Sequence, residues 1–259
     1  MAGVLVVQAL GAPAAARGRP RRRRRPRPVE PGADPAPVPI TRLTVIPTEA
    51  FADRAAAELW LREVERDDDA LDEAVARAVG TVNSALHAQA IATQDPSLSQ
   101  VSRAAALALR VGFGSGEELA DGRWSRALEI PPPRERRRRA EALRPAERVA
   151  AVLGGRERPD ACETLLLRAR ADLDAGRGRE AALQLRAGLA ALLAELADDP
   201  GPDQEEDLAA VADRRAEVGR IAERALTGEP DDDQLGEIAA ALRIAERVLR
   251  RRRILGGTS

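Results

Sequence analysis

Side chains that could act as nucleophiles, general bases or metal ligands are scarce in this sequence. It has one cysteine, Cys162, and one histidine, His87, and all 41 of its basic residues are arginine. A lysine Schiff base, a phosphate-loop lysine, a multi-cysteine zinc site and an intrachain disulfide framework therefore lack the residues they need. We predict a protein that has no catalytic residue, no metal ion and no cofactor.

Cys162 and His87 are each better explained by structural roles than by catalysis. Cys162 falls in the first turn of a predicted helix, where a thiolate is stabilised, but a lone cysteine is more commonly a buried structural thiol. His87 follows Ser84 where a helical carboxylate metal site would have glutamate. A serine triad would have to recruit Ser102 or Ser125, and no pattern favours this. An enzyme is therefore the least favoured of three functional hypotheses.

A glycine-rich segment, residues 111–124, has a spacing that could bind phosphate. Glycines before a helix can present backbone N–H groups to an anion. This segment has no lysine or threonine, no strand pattern precedes it, and Glu117 and Glu118 stand where the anion would lie. We therefore predict a turn between two helices, with Ser115 as the N-cap and two aromatic anchors. Its candidate interaction residues are Gly112, Phe113, Gly114, Gly116 and Trp124.

Arginine runs are candidates for contacts with nucleic acid. Arginine binds phosphate in a bidentate manner, and neutralising phosphates releases counterions. Aromatic residues for base stacking are missing beside these runs, and the net charge of −1 favours no acidic partner. The candidate arginines are Arg21, Arg22, Arg23, Arg24 and Arg25, then Arg136, Arg137, Arg138 and Arg139, with Arg250–Arg253 as a third group.

The first forty residues predict a disordered tail rich in arginine and proline. Residues 1–40 contain 8 Arg and 8 Pro against 2 acidic residues, which is too little apolar surface to offset the entropy of ordering. Val4–Leu10 could also be a weak secretory signal, and a third alternative is a true start near Ile40. Ile40–Ile46 favours one short strand, for which no partner strand is predicted.

The composition predicts an all-α protein with two helical modules. Alanine and arginine, both strong helix formers, make up 94 residues of the chain. Residues 41–130 form the first predicted module, which contains all four aromatic residues. Residues 131–158 are predicted to be a basic linker with short helices. The predicted helices of the first module cover residues 53–66, 67–92, 101–111 and 117–128, where apolar residues recur at helical spacing.

Residues 159–255 predict an up-down four-helix bundle made of two αα-hairpins. Asp160 with Glu163, and Asp203 with Glu206, resemble capping boxes at helix starts. Aliphatic residues recur at helical spacing along each predicted helix, and glycine or proline marks each turn. The second module therefore has the clearest helical pattern in the sequence.

Residues 165–188 resemble a single tetratricopeptide repeat. Asp172 stands at a position that is aromatic in that repeat, and Leu193 replaces its proline. Because one copy covers about a tenth of the chain, we interpret the segment as a general helical hairpin. The matching small or apolar positions are Ala169, Gly176, Ala181, Leu185 and Gly188.

The leading functional hypothesis is a non-catalytic module for protein–protein interaction or assembly, cytoplasmic and without a membrane partner. Its aliphatic helix seams suit self-association, and Leu235, Leu242 and Leu249 are the candidate contact. The alternative is a protein that binds nucleic acid without sequence specificity through its arginine runs.

Overall fold

The computed structural model describes residues 3–11, 38–131, 139–196 and 205–255. Helix accounts for 65% of these residues, so the prediction of a mostly helical protein is confirmed. Four short strands in two antiparallel hairpins are also present in this part of the chain, so the all-α assignment is too narrow. The chain divides into two compact units, Met1–Arg134 and Glu135–Ser259.

The first unit combines two strand hairpins with three helices. Its two long helices agree with the sequence prediction, and Asp53 caps the first by accepting a hydrogen bond from the Ala56 N–H at 2.7 Å. Asp67 caps the second in the same way. In chain order the elements are β1 (Gly3–Leu10), β2 (Ile40–Pro47), α1 (Arg54–Arg66), α2 (Asp68–Thr93), β3 (Leu109–Phe113), α3 (Gly116–Ala120) and β4 (Arg126–Ile130).

The prediction of an unfolded N-terminal tail is wrong at β1. This strand pairs with β2 over its full length, from Gly3 opposite Pro47 to Leu10 opposite Ile40. The apolar run Gly3–Leu10, which precedes the arginine run, is therefore the partner strand of β2 that the sequence pattern did not predict. Residues 12–37, which carry the rest of the predicted tail, lie outside the described residues.

Two of the predicted helices, over residues 101–111 and 117–128, do not form as predicted. The first range ends in strand β3, and in the second only the first residues are helical, in α3, before strand β4 begins at Arg126. Gly112 lies opposite Ala127, and a Cβ on Gly112 would stand only 2.6 Å from the Ala127 Cα. Glycine is therefore required for the two backbones to approach at this point. An alanine-rich apolar run does not distinguish strand from helix by its spacing alone, which explains the error.

The hairpin of β3 and β4 packs one face against α1. Phe113 is buried with Ala57 and Leu61 of α1, and Trp60, Val111 and Leu128 pack around them. The opposite face carries a cross-strand ion pair between Arg110 and Glu129, with a closest distance of 2.8 Å. Alternation of apolar and charged residues thus gives this hairpin one buried and one solvated face.

The second unit contains five helices, four of which share one aliphatic core. The apolar series predicted from the sequence is buried there, including Leu185, Ile238 and Leu242 at 0% exposure. The up-down order of a four-helix bundle stays a prediction. The helices are α4 (Arg139–Leu153), α5 (Ala161–Asp174), α6 (Gly178–Leu196), α7 (Glu205–Ala225) and α8 (Asp232–Leu255).

Two predictions in the second unit need correction. In the linker, the sequence predicts a short helix from Pro145 to Leu153, but this helix, α4, begins at Arg139 and includes Pro145 in its interior. Leu242 and Leu249 lie in the core of the unit, and Leu235 packs against it. These leucines are used within the chain, so the predicted dimer contact through them is wrong.

Gly188 allows α5 and α6 to approach closely. A Cβ at Gly188 would lie 2.9 Å from the Leu166 Cδ2 and 3.4 Å from the Leu165 Cβ. A Cβ at this position would force the buried Leu166 side chain to shift within a close-packed core. The hairpin of α5 and α6 is therefore held by a glycine contact as well as by buried leucines.

Candidate functional site

Cys162 lies in the first turn of α5 and has no exposed surface. Burial raises the pKa of the Cys162 thiol to about 12, and a hydrogen bond to the Glu195 carboxylate of α6 adds to the shift. Asp160 and Glu163 raise the same pKa further through their negative charge. The thiol is therefore protonated at neutral pH, whereas the thiolate is the reactive form. The geometry gives Cys162 a structural role.

The N-terminus of α5 is capped by a side chain from another helix. Glu195 accepts hydrogen bonds from the backbone N–H groups of Ala161, at 3.0 Å, and Cys162, at 3.3 Å. A carboxylate at this position also interacts favourably with the helix dipole. Asp160 occupies the N-cap position, but its side chain makes no capping hydrogen bond. The predicted capping box of Asp160 and Glu163 is therefore wrong.

Glu163 joins α5 to α4 through Arg148. The Arg148 guanidinium donates to both Glu163 carboxylate oxygens, at 2.9 and 2.6 Å, and to Glu157 at 2.6 Å. Only 9% of the Glu163 side chain is exposed, so this bidentate pair is largely shielded from water. The hydrogen bonds to Glu163 and Glu157 raise the pKa of Arg148. The two carboxylates thus fix α4 to the start of α5.

Asp207 of α7 is held by two arginines of α8. Its buried carboxylate accepts a hydrogen bond from Arg247 Nε at 3.2 Å and another from Arg251 Nη1 at 2.7 Å. Arg252 of α8 donates to Asp160 at 2.5 Å. These pairs neutralise positive charge near the C-terminal end of α8, which weakens the case for a phosphate-binding patch there.

The remaining predicted arginine sites are only partly described. Arg21–Arg25 and residues 136–138 lie outside the described residues. Arg139 is the first residue of α4. The nucleic-acid hypothesis therefore depends on segments about which the fold gives no geometry.

The predicted interaction segment from Gly112 to Trp124 connects β3 to β4 through α3. Phe113 is buried, and its carbonyl accepts a hydrogen bond from the Ser125 N–H at 2.9 Å. Ser115 occupies the N-cap position of α3 without a side-chain hydrogen bond. Trp124 is half-buried at the end of the connection.

The glycines of this connection are explained by local sterics. A Cβ on Gly114 would lie 2.8 Å from the Leu119 Cδ2, and Gly116 adopts a φ of 46°. A strand does precede the glycines, which the sequence pattern did not indicate. The helix that follows, α3, spans only five residues and carries Glu117 and Glu118 in its first turn, so it provides no anion site.

The hairpin of β1 and β2 has one face occupied and one face open. On the occupied face, Arg42 donates a hydrogen bond to Gln8 at 3.0 Å and another to the Asp121 carbonyl at 2.7 Å. Thr44, on the same face of β2, is 6% exposed. This face therefore lies against the body of the first unit.

The open face of this hairpin consists of uncharged residues. Side chains alternate between the faces of a strand, so every second residue of each strand belongs to it. Val7 is 61% exposed and its partner Leu43 is 38% exposed, while Leu5 and Val45 are half-buried. We call these residues the aliphatic quartet: Leu5, Val7, Leu43 and Val45. The quartet is flanked by the pair Gly3 and Pro47 at one end and by Ala9 and Thr41 at the other, so the strand residues of this face carry no charge.

Other candidate sites in the described residues are weak. Arg103 lines a shallow depression of about 20 Å³, which is room for about one water molecule. His87 is half-buried in α2. In the described ranges no group of three histidine, cysteine or acidic side chains has the arrangement of a metal site.

Comparison with protein-family models, curated proteins and solved structures gives no match for this chain. Within the described ranges, no helix combines the length and the apolar character that crossing a bilayer requires. We therefore infer the function of this chain from the geometry described above.

Proposed function

We propose that this chain is a non-catalytic module for protein–protein interaction or assembly that acts in the cytoplasm. The single observation that carries the proposal is the aliphatic quartet on the hairpin of β1 and β2, in which Val7 and Leu43 are exposed. Exposed apolar side chains grouped on one uncharged face favour contact with another protein. The first unit would present this face to the partner.

The state of the polar side chains also supports a non-catalytic role. The cysteine is buried and protonated at neutral pH, and the buried carboxylates Glu163 and Asp207 are engaged by arginines of neighbouring helices. Groups used in this way stabilise the fold and are not directed into a cleft. We further propose that α5 to α8 form an up-down four-helix bundle, which would serve as a rigid support.

Affinity capture from an extract of the native host tests this proposal. We would immobilise the full chain and compare it with Val7→Lys and with a matched control, Val149→Lys, which changes an exposed valine of α4. Val7 is 61% exposed and Val149 is 57% exposed. We expect specifically bound protein, including further copies of the chain, to be lost with Val7→Lys and kept with Val149→Lys. Equal recovery from all three, or recovery no greater than that of bare beads, would contradict the proposal.

A further inference from the structure

Among the four described strands, β1 has the least protection against pairing with another chain. Natural proteins shield open strand edges with charge, proline, bulges or short length. β3 and β4 are only five residues long and carry charged residues. β2 contains Arg42 and ends at Pro47. β1 spans eight residues without charge or proline, and its register with β2 is unbroken.

The free edge of β1 offers a row of backbone hydrogen-bonding groups. In the described part of the chain, β1 pairs with β2 alone. In an antiparallel pair, alternate residues direct their N–H and C=O groups away from the partner, so about half of the residues of β1 do so. A two-stranded ribbon is marginally stable in water, and additional strands stabilise it. Addition of a third strand would therefore pair these free backbone N–H and C=O groups and stabilise the two-stranded sheet.

We propose that β1 pairs, edge to edge and antiparallel, with β1 of a second copy of this chain. The product is a four-stranded sheet in the order β2, β1, β1, β2, related by a twofold axis. The inference rests on the proposed function and names the partner as the chain itself. Strand addition uses backbone hydrogen bonds for affinity and side-chain contacts for selectivity.

Charge favours a second copy in the antiparallel orientation. Two uncharged strands meet without repulsion, and a twofold interface requires a self-complementary surface. The arginine run Arg21–Arg25 follows β1 in the sequence. With Val7 opposite Val7 of the copy, antiparallel pairing places the two Leu10 residues about 20 Å apart along the strands, because a strand rises about 3.4 Å per residue. That separation exceeds the Debye length of about 8 Å at physiological salt. Parallel pairing would instead bring the two Leu10 residues to neighbouring positions, from which the arginine run is only eleven residues further along each chain.

The same features limit the assembly to a dimer. After β1 pairs with its copy, both outer edges of the new sheet are formed by β2. β2 carries Arg42 and ends at Pro47, and α2 and α3 pack against it. These outer edges are poorer templates for further pairing. We therefore expect association to stop at two copies.

Sedimentation velocity combined with hydrogen–deuterium exchange tests this inference on the full chain. We expect the mass to rise with concentration from that of a monomer to that of a dimer and no further. Protection of amides in Gly3–Leu10 should rise over the same range, while amides of β3 and β4 keep their exchange rates. Val7→Lys places two lysines close together across the pair, where like charges are unfavourable, and should weaken the dimer at least tenfold. Val149→Lys should leave the dimer unchanged.

Three results would overturn the inference. One is a monomeric chain at every concentration, with unchanged exchange in β1. Another is a dimer that forms without added protection of β1, which would place the contact elsewhere. The third is a dimer that Val7→Lys does not weaken while circular dichroism shows the variant folded. If the chain is monomeric but Val7-dependent capture of another protein is found, the proposed function survives and only the self-pairing fails.

Discussion

Glu195 shows how single residues can take roles that local sequence does not indicate. The spacing of Asp160 and Glu163 predicts a capping box, yet the cap comes from a residue that lies 33 positions after Cys162. Glu163 is drawn instead to Arg148, because a bidentate ion pair stabilises a shielded carboxylate better than one backbone N–H does. Such contacts between residues distant in sequence depend on tertiary packing, so the spacing of residues within one helix cannot predict them.

The pKa of Cys162 gives a prediction for alkaline solutions. The chain has no lysine or tyrosine, so Cys162 is the side chain that titrates between pH 9 and 12. Its pKa is about 12 when folded against an ordinary value of 9.0, so the folded state holds the proton more tightly. The resulting stability is fully present below pH 9 and is lost as the pH rises toward 12. We expect the free energy of unfolding to fall by about 1.4 kcal/mol per pH unit across that window.

Urea unfolding at several pH values, for the wild type and Cys162→Ala, measures this effect. The variant should be less stable than the wild type below pH 9, where the buried thiol is protonated, and its slope between pH 9 and 12 should disappear. A wild-type slope of zero, or the same slope in both proteins, would show that the thiol is not held protonated by the fold.

Gly112 and Gly80 form a matched pair for a second residue-scale prediction. Gly112→Ala forces a Cβ into the backbone of β4, whereas a Cβ on Gly80 in α2 meets nothing within 4 Å. We expect Gly112→Ala to destabilise the first unit by roughly 2 kcal/mol or more. Gly80→Ala should stabilise it by about 0.5–1 kcal/mol, because alanine loses less entropy in a helix. Thermal unfolding measures both, and a similar small effect for the two variants would contradict the close pairing of β3 and β4.

At the scale of elements, the long amphipathic helices and the strand β2 were predictable, whereas β1, β3 and β4 were not. The apolar series of α6 and α8 has a helical period over many residues, and one face of each is buried as expected. β1 pairs with β2, a strand that is distant in sequence. β4 pairs with β3, a strand at the end of an alanine-rich run. Both β1 and β4 are short. In a five-residue strand, the alternation of apolar and polar residues covers too few positions to outweigh the high helix propensity of alanine and arginine. The candidate hairpin surface was missed for the same reason.

The ion pairs between helices differ in burial, which gives an element-scale prediction. The Asp207 side chain is 6% exposed, whereas both side chains of the pair between Arg186 and Glu223 are at least 50% exposed. We expect Asp207→Asn to destabilise the second unit by about 1–3 kcal/mol, because it leaves two arginines of α8 without their carboxylate. Glu223→Gln should change stability by less than about 0.5 kcal/mol. Urea unfolding checks both, and equal effects would show that Asp207 does not clamp α7 to α8.

At the scale of the whole molecule, the described residues use many charged side chains in ion pairs within the fold and leave part of the apolar surface exposed. Arginines and carboxylates of the second unit pair with one another across α4, α5, α7 and α8. The first unit has a smaller core and keeps an uncharged aliphatic face in solvent. Composition alone predicted helices and little reactive chemistry. It could not locate the aliphatic quartet, because this face forms only when two distant strands pair.

A lysine scan of the exposed aliphatic side chains tests this view of the molecule most directly. Each variant would be assayed by light scattering for self-association and by capture for other partners. The positions are Val4, Val7, Leu43, Leu59, Ile91, Leu107, Val149, Leu153, Leu167 and Leu226. We predict that loss of association is confined to the open face of the β1–β2 hairpin, at Val7 and Leu43, and reaches tenfold or more at Val7, whereas Val4 lies on the occupied face and should have little effect. Loss that instead maps to positions outside this face, or no loss at any position, would contradict the assignment of the hairpin face as the interaction surface.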